Sequence, residues 1–136
     1  LEGASPGADL LRGEAARSLH TRERALSDAT LLSTFPEVGK DQDRRGFETV
    51  RDRAKLTRYG LDCYGYALVA MGQADLVVEA GLHAYDIQAP KAVIEAAGGI
   101  VTNWRGRSCD DGGQVVAAGS KALHEEALAL LAPFAE

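Results

Sequence analysis

Short apolar runs alternate with longer helix-like segments along most of this chain, and that alternation most constrains the fold. The apolar runs predict five strands, at residues 29–34, 55–59, 76–79, 100–104 and 114–118. The other segments predict four helices, at residues 44–55, 63–71, 85–97 and 120–131, with a connector at residues 80–84. Because strands that alternate with helices pack into layers, the pattern predicts an α/β fold whose apolar strands are buried on both faces.

The chain divides into an amino-terminal segment and one domain. Residues 1–24 are rich in glycine, alanine and charge and predict a linker or an edge strand with loops, whereas residues 25–136 predict the α/β domain. The 136 residues are enough for one hydrophobic core. Because the chain begins with Leu1 instead of Met, we expect an upstream segment that holds part of the chemistry.

Composition and charge exclude several classes of function. The chain has 15 Lys and Arg residues against 20 Asp and Glu, for a net charge of −5. A nucleic-acid or anionic-membrane surface needs a concentrated basic face, so neither partner is expected. No apolar run approaches the ~20 residues that cross a membrane, so no membrane span is expected. The two cysteines, Cys63 and Cys109, lack metal-binding spacing and favour reduced thiols in a cytoplasmic protein, with a disulfide between them left open.

Four charged residues near the ends of predicted elements are candidates for a binding site. Asp86 lies where the connector meets a helix, which would direct a carboxylate into a crevice, but an aspartate there also serves as a helix cap. Glu79 ends a predicted strand and is equally explained as a surface charge. Asp62 precedes a predicted helix and is equally explained as its cap, and Arg58 as a surface ion-pair partner.

The aromatic and histidine residues are assigned structural positions. Three aromatic residues are predicted to fill the core, namely Tyr64, Tyr66 and Trp104. The three histidines have no spacing that would place two on one metal ion, and they are predicted at the surface: His20, His83 and His124.

A motif with fixed spacing lies in the carboxy-terminal half of the chain. It consists of Tyr85-Asp86, then Ala89, an apolar helix, and Ala97-Gly98-Gly99 before a strand. This order resembles the carboxy-terminal signature of the inositol monophosphatase family, which usually has Trp in place of Tyr85. The stretch from Arg58 to Ala70 contains Asp62-Cys63-Tyr64 and is similar to the histidinol-phosphatase branch of that family.

The resemblance implies a fold, a metal ion and a substrate class. The fold would be a layered mixed sheet of about five strands flanked by helices, as in the carboxy-terminal domain of that family. Asp86 would be a ligand of Mg²⁺. The substrate would be a small phosphorylated molecule, with histidinol phosphate as first choice and therefore a role in histidine biosynthesis. Its contacts would be Arg58, Gly60, Asp62, Glu79 and Asp86. A homodimer is a further expectation from the family.

The family's amino-terminal metal ligands have no counterpart in this sequence. These ligands are a Glu-Glu pair and an Asp-Pro-x-Asp-Gly-Thr loop, whereas the only Asp-Gly here is Asp111-Gly112, in a different context. One carboxylate, even with a second nearby, is too few for a catalytic metal pair. We therefore expect the substrate-side half of a longer phosphatase, inactive alone. Inositol monophosphatase and nucleotide bisphosphate phosphatase are alternatives, as is a non-catalytic dimerisation or regulatory module with the same fold.

Overall fold

Seven strands and four α-helices make up the computed structural model, which describes residues 7–13 and 15–136. The strands are β1 Asp9–Arg12, β2 Ala15–Ser18, β3 Thr30–Ser33, β4 Leu56–Tyr59, β5 Leu76–His83, β6 Ile100–Thr102 and β7 Gly112–Ala118. The helices are α1 Asp41–Arg51, α2 Cys63–Ala70, α3 Ala84–Ala96 and α4 Lys121–Leu131. Within the described ranges, no helix is long and apolar enough to cross a membrane.

Five of the strands form one mixed sheet in the order β4-β3-β5-β7-β6. β3 runs parallel to both β4 and β5, whereas β7 runs antiparallel to β5 and β6. The other two strands, β1 and β2, pair with each other as a separate antiparallel hairpin. The prediction of an α/β fold with a layered mixed sheet of about five strands flanked by helices is confirmed.

The core lies on both faces of the sheet because neighbouring residues of a strand point to opposite sides. Leu32 and Val77 pack in a cluster with residues of α2 and α3. Their neighbours Leu31 and Leu76 pack in a second cluster with residues of α1 and α4. Trp104 is fully buried in this second cluster, as predicted. The sheet is therefore the middle layer between two pairs of helices.

β5 is longer than the sequence predicts. The connector predicted at residues 80–84 is wrong, because residues 80–83 continue β5 and pair with β7 at Leu82–Gly113 and His83–Gly112. The register shifts between Glu79 and Leu82, which marks a β-bulge, and Gly81 within it has a φ of 73°. Glycine is unfavourable in strands, so the local sequence gave no strand signal; the pairing partner lies far along the chain.

Two predictions of burial are wrong. Tyr64 was predicted in the core but is 54% exposed, because α2 is apolar on every side and only one side meets the sheet. His124 was predicted at the surface but is 7% exposed, and its Nε2 lies 2.8 Å from the Thr102 hydroxyl. Burial lowers the pKa of this imidazole.

The segment before residue 25 contains the hairpin and a stretch that packs on the domain. All eight residues of β1 and β2 are exposed. Leu19 is buried, the Thr21 N–H donates to the Ala97 carbonyl at 3.0 Å, and Arg22 pairs with Asp75 at 2.8 Å. Residues 1–6 and 14 lie outside the described ranges, and the proposed division into residues 1–24 and 25–136 stays a prediction.

Candidate active site

A cavity of about 640 Å³ lies just beyond the point where the parallel strands β3 and β5 pair. Its lining comes from the end of β3 and the loop after it (residues 33–39), the start of α2, residues 79–82 of β5, and the first turns of α3. Ligand sites in α/β sheets usually lie at the carboxyl ends of parallel strands, where loops and helix starts converge. This cavity is therefore the candidate active site.

Glu79 is the most deeply buried acidic group of the cavity, with 5% of its surface exposed. The Thr34 hydroxyl donates to its Oε1, and the Tyr66 hydroxyl donates to its Oε2 at 2.5 Å. Burial, together with the negative charge of Glu79, raises the pKa of Tyr66 well above its usual value. The phenol therefore keeps its proton and remains a donor to the carboxylate, which fixes the carboxylate's orientation.

Asp86 is placed by the direct passage of β5 into α3. His83 ends the strand and is the N-cap of the helix, so Asp86 lies in the first helical turn instead of at the cap position. Its Oδ2 accepts the His83 N–H at 2.8 Å. The sequence left a capping role and a cavity role as alternatives. The carboxylate does bind the helix start, and it also lines the cavity.

Asp62 has an unusual backbone conformation. It occupies the N-cap position of α2, but its φ is 48° and its ψ is −133°, and its side chain makes no capping hydrogen bond. It is the only residue other than glycine with a positive φ in the described part of the chain. Aspartate in such a conformation costs free energy relative to glycine. The capping explanation for Asp62 thus has no support, and its exposed side chain lines the cavity instead.

The structure brings three of the five predicted site residues together. Asp62, Glu79 and Asp86 line the cavity with a fourth acidic residue, Glu37, and the described lining contains no Lys, Arg or His. Arg58 lies outside the lining, and its guanidinium donates to the Thr57 carbonyl at 2.9 Å.

Gly60 also lies outside the lining of the cavity but close to it. Its N–H donates to the carbonyls of Ser33 and Thr34 at 3.2 and 3.0 Å, which holds the chain after β4 against the end of β3. With a φ of 87°, this position favours glycine. Gly60 therefore contributes through its backbone hydrogen bonds, which position the loop that leads to Asp62.

The lining oxygens fit Mg²⁺ in type but not in number. Carboxylate oxygens are the ligands that Mg²⁺ prefers. Within residues 7–13 and 15–136, however, no three His, Cys, Asp or Glu side chains lie close enough to hold one metal ion. The described residues therefore do not form a complete metal site by themselves.

Several lining residues were missed by sequence reasoning. Thr34 ends the predicted apolar run and directly follows β3, and that position was its only signal. Phe35 and Glu37 lie in the loop after β3, which has no recognisable motif. Tyr66 was predicted in the core; at 3% exposure it is buried as predicted, but it also lines the cavity. Nothing local in the sequence distinguishes a core tyrosine from one whose hydroxyl binds a site carboxylate.

The two cysteines differ in environment and form no disulfide with each other. Cys63 is exposed and lines the cavity at the start of α2, whereas Cys109 is buried. Burial raises the pKa of the Cys109 thiol, which keeps it protonated. Both are free, and reduced thiols in a cytoplasmic protein stay a prediction.

A mixed sheet between two helical layers, with carboxylates gathered in a cavity where its parallel strands end, defines an α/β protein with an acidic candidate site. Comparison with known proteins identifies the family within this class. The model of the inositol monophosphatase family matches residues 10–134, so the chain belongs to that family, which is one of phosphatases. The resemblance predicted from the sequence is thereby confirmed.

Named relatives include phosphatases with different substrates. The chain is 41% identical over 112 residues to the bifunctional phosphatase IMPL2, chloroplastic, of Arabidopsis thaliana, covering 76% of this chain and 32% of that protein. It is 32% identical over 119 residues to a histidinol-phosphatase of Streptomyces coelicolor, covering 85% and 44%. A solved inositol monophosphatase from Zymomonas mobilis superimposes with a TM-score of 0.80 at 38% identity, covering 85% of this chain and 47% of that one. The chain thus spans less than half the length of these relatives.

Proposed function

We propose that this chain forms the substrate-side half of a Mg²⁺-dependent phosphate monoesterase, with histidinol phosphate as its substrate. The observation that supports this proposal best is Glu79, a buried carboxylate in the lining of the cavity. Its neighbours in the described lining supply two hydroxyl donors but no positive charge. A ligand with a positively charged group would supply the charge that such a site lacks.

The substrate's ammonium group would complete the hydrogen bonding of Glu79. A buried carboxylate is costly unless it is paired or hydrogen-bonded, because burial removes its hydration. An ammonium offers three donors and a positive charge, and charge-assisted hydrogen bonds are the stronger ones. Histidinol phosphate carries an ammonium and inositol phosphate does not, so an acidic wall favours the former. Asp62 is proposed to add a second carboxylate on the same wall.

The phosphate group requires cations that the described lining lacks. Four carboxylates repel a phosphate dianion, and Arg58 donates to its own strand outside the cavity. We propose that Asp86 supplies one ligand to Mg²⁺ and that other ligands come from sequence beyond the described residues. When bound, such an ion activates water and neutralises the leaving oxygen. The 136-residue chain is accordingly proposed to be inactive alone.

Inositol phosphate is the second candidate substrate. It is supported by the 38% identity to the solved inositol monophosphatase from Zymomonas mobilis. Carboxylates accept hydrogen bonds from sugar hydroxyls as well as from ammonium groups. A cytoplasmic location and a homodimer stay predictions from the sequence.

The test is a phosphate-release panel on the complete polypeptide that carries this chain, with and without Mg²⁺. The substrates are histidinol phosphate, inositol 1-phosphate and adenosine 3′,5′-bisphosphate, and the variants are Glu79→Gln and the surface control Glu125→Gln. A hydrogen bond to a charged group contributes about 1.5–3 kcal/mol, so Glu79→Gln should reduce kcat/KM for histidinol phosphate about 10- to 150-fold. For inositol 1-phosphate the loss should be about 2- to 12-fold, since its partner is an uncharged hydroxyl.

Each outcome decides between the candidates. Preference of the wild type for inositol 1-phosphate or the bisphosphate would refute histidinol phosphate as the substrate. Equal losses for both substrates in Glu79→Gln would refute the role of the carboxylate in binding an ammonium. If the complete polypeptide releases no phosphate with Mg²⁺, it is a non-catalytic module.

A further inference from the structure

Two aromatic side chains at the candidate active site are mostly exposed. Tyr85 is 77% exposed and Phe35 is 65% exposed, and both line the cavity that holds Glu79. They come from different elements, since Phe35 lies in the loop after β3 and Tyr85 lies in the first turn of α3. Large aromatic surfaces are normally buried, because each gains free energy by leaving water. Two such surfaces at one cavity indicate a contact that a ligand completes.

The ring of Tyr85 stacks on a neighbouring ring. His83 stacks on it with ring centroids 5.0 Å apart and an interplanar angle of 19°. His83 is exposed and lies outside the lining, so the stack supports the tyrosine without itself lining the cavity. Tyr85 also directly precedes Asp86 in the same helical turn. A ring that already stacks on a neighbour loses less conformational entropy when a ligand packs against it than a ring without such a contact.

Charge complements the aromatic surfaces. The faces of Phe and Tyr rings carry negative electrostatic potential and attract cations as well as other flat rings. The same lining contains Glu37, Asp62, Glu79 and Asp86. A ligand that satisfies both features has a planar ring and a positive charge close together. A polyol such as inositol has neither a planar ring nor a positive charge.

We propose that Phe35 and Tyr85 form an aromatic rim that binds a planar ring in the organic part of the substrate. The rim makes the cavity selective for phosphate esters of amino alcohols that carry a heteroaromatic ring. This inference rests on the proposed phosphatase function and assigns Phe35 and Tyr85 as specificity-determining residues. Tyr64 is a matched control, because it is 54% exposed but lies outside the lining.

The test compares three substrates in the complete polypeptide with Mg²⁺. Histidinol phosphate has a ring and an amine, phosphoethanolamine has an amine without a ring, and inositol 1-phosphate has neither an amine nor an aromatic ring. The variants are Tyr85→Leu, Tyr85→Phe, Phe35→Leu and the control Tyr64→Leu. Tyr85→Leu and Phe35→Leu should each lower kcat/KM for histidinol phosphate about 5- to 30-fold, chiefly through KM. Tyr85→Phe keeps the ring and should remain within about 2-fold of the wild type.

Phosphoethanolamine and inositol 1-phosphate should change less than about 2-fold in every one of these variants. A loss of the same size for all three substrates would overturn the proposal, because it would indicate damage to the site and not loss of a ring contact. Unchanged kinetics for histidinol phosphate in Tyr85→Leu and Phe35→Leu would overturn it as well.

Failure of the phosphatase function can be told apart from failure of the rim. If the wild type releases phosphate from none of the substrates, the proposed function fails. Calorimetric titration with histidinol, which has the ring and the amine but no phosphate, then tests whether the aromatic rim binds the ring. Binding that weakens at least about 5-fold in Tyr85→Leu but not in Tyr64→Leu would support it. No binding to the wild type, or equal binding to both variants, would overturn it.

Discussion

The ion pair between Arg22 and Asp75 allows a quantitative test of what holds the amino-terminal segment on the domain. Asp75 is fully buried immediately before β5. It accepts the Arg22 Nε–H at 2.8 Å, the Nη2–H at 3.0 Å, and the Thr30 N–H at 2.8 Å. The substitution Arg22→Leu removes two of these donors and the positive charge. Only the Thr30 N–H would then remain among these donors.

The expected loss in the free energy of unfolding follows from how deeply each partner of the ion pair is buried. Removing one partner of a buried ion pair costs about 3–5 kcal/mol, because the other charge is left without compensation. The Arg22 side chain is 31% exposed, however, so water screens part of the interaction. We therefore expect a loss of about 2–3 kcal/mol in the free energy of unfolding. At about 2 cal/mol/K of unfolding entropy per residue, that loss lowers the Tm of the 136-residue chain by about 7–11 °C.

The assay is urea denaturation of the wild type, Arg22→Leu and a surface control, followed by circular dichroism and tryptophan fluorescence. Arg44→Leu is the control, since Arg44 pairs with the exposed Asp41 at 2.7 Å within one helix turn. It should lose no more than about 0.5 kcal/mol, because exposed pairs contribute little. Equal losses in Arg22→Leu and Arg44→Leu would show that Asp75 does not depend on Arg22, and the reasoning would be refuted.

Two further predictions concern the pairing of β7 with the bulged strand β5 and the buried histidine. Gly112 has a φ of 88°, and a Cβ there would collide with the Leu82 backbone. Gly112→Ala should therefore lower the free energy of unfolding by about 2–4 kcal/mol, measured by urea denaturation. Gly7→Ala is the control, because Gly7 has open space around it. Burial lowers the pKa of His124 below 6.5, so the unfolded chain binds the proton more readily, and stability should fall as the pH drops below about 6.5. His124→Gln should flatten that dependence between pH 7.5 and 5; an unchanged slope would assign it to other groups.

The fold was predictable because its signals are local. β3, β4, β6 and β7 fall within a few residues of the predicted runs. Consecutive residues of β3 and β7 are buried, because helices cover both faces of the sheet, and such strands appear in the sequence as short continuous apolar runs. The burial of His124 was also recoverable: it lies next to Leu123 on the helix face that buries Ala127 and Leu131. Periodicity could have placed it there, but its polar side chain was read as a surface residue.

The site was predictable only in part, because its contacts are non-local. Glu79 and Asp86 were candidates from their positions at predicted element ends, the family resemblance gave them a site role, and both line the cavity. The hydroxyl that binds Glu79 from Thr34 lies 45 residues away in sequence, and no periodicity predicts which strands become neighbours. The same holds for the bulge in β5, whose pairing partner in β7 comes after α3 and β6. Pairing across the sheet decides these contacts.

The places where sequence patterns fail are also the places where the acidic side chains gather. Asp62 has a strained backbone, Glu79 lies at the start of a β-bulge, and Asp86 follows a strand that passes into a helix without a loop. The positive φ of Asp62 has a free-energy cost that regular structure would avoid. Three carboxylates directed at one cavity add mutual repulsion to that cost. A fold stabilised by the two apolar clusters tolerates both costs, and a cationic ligand is the kind of partner that would offset the repulsion. The coincidence of strain at Asp62, like charge and a cavity therefore supports the binding role proposed for these three residues.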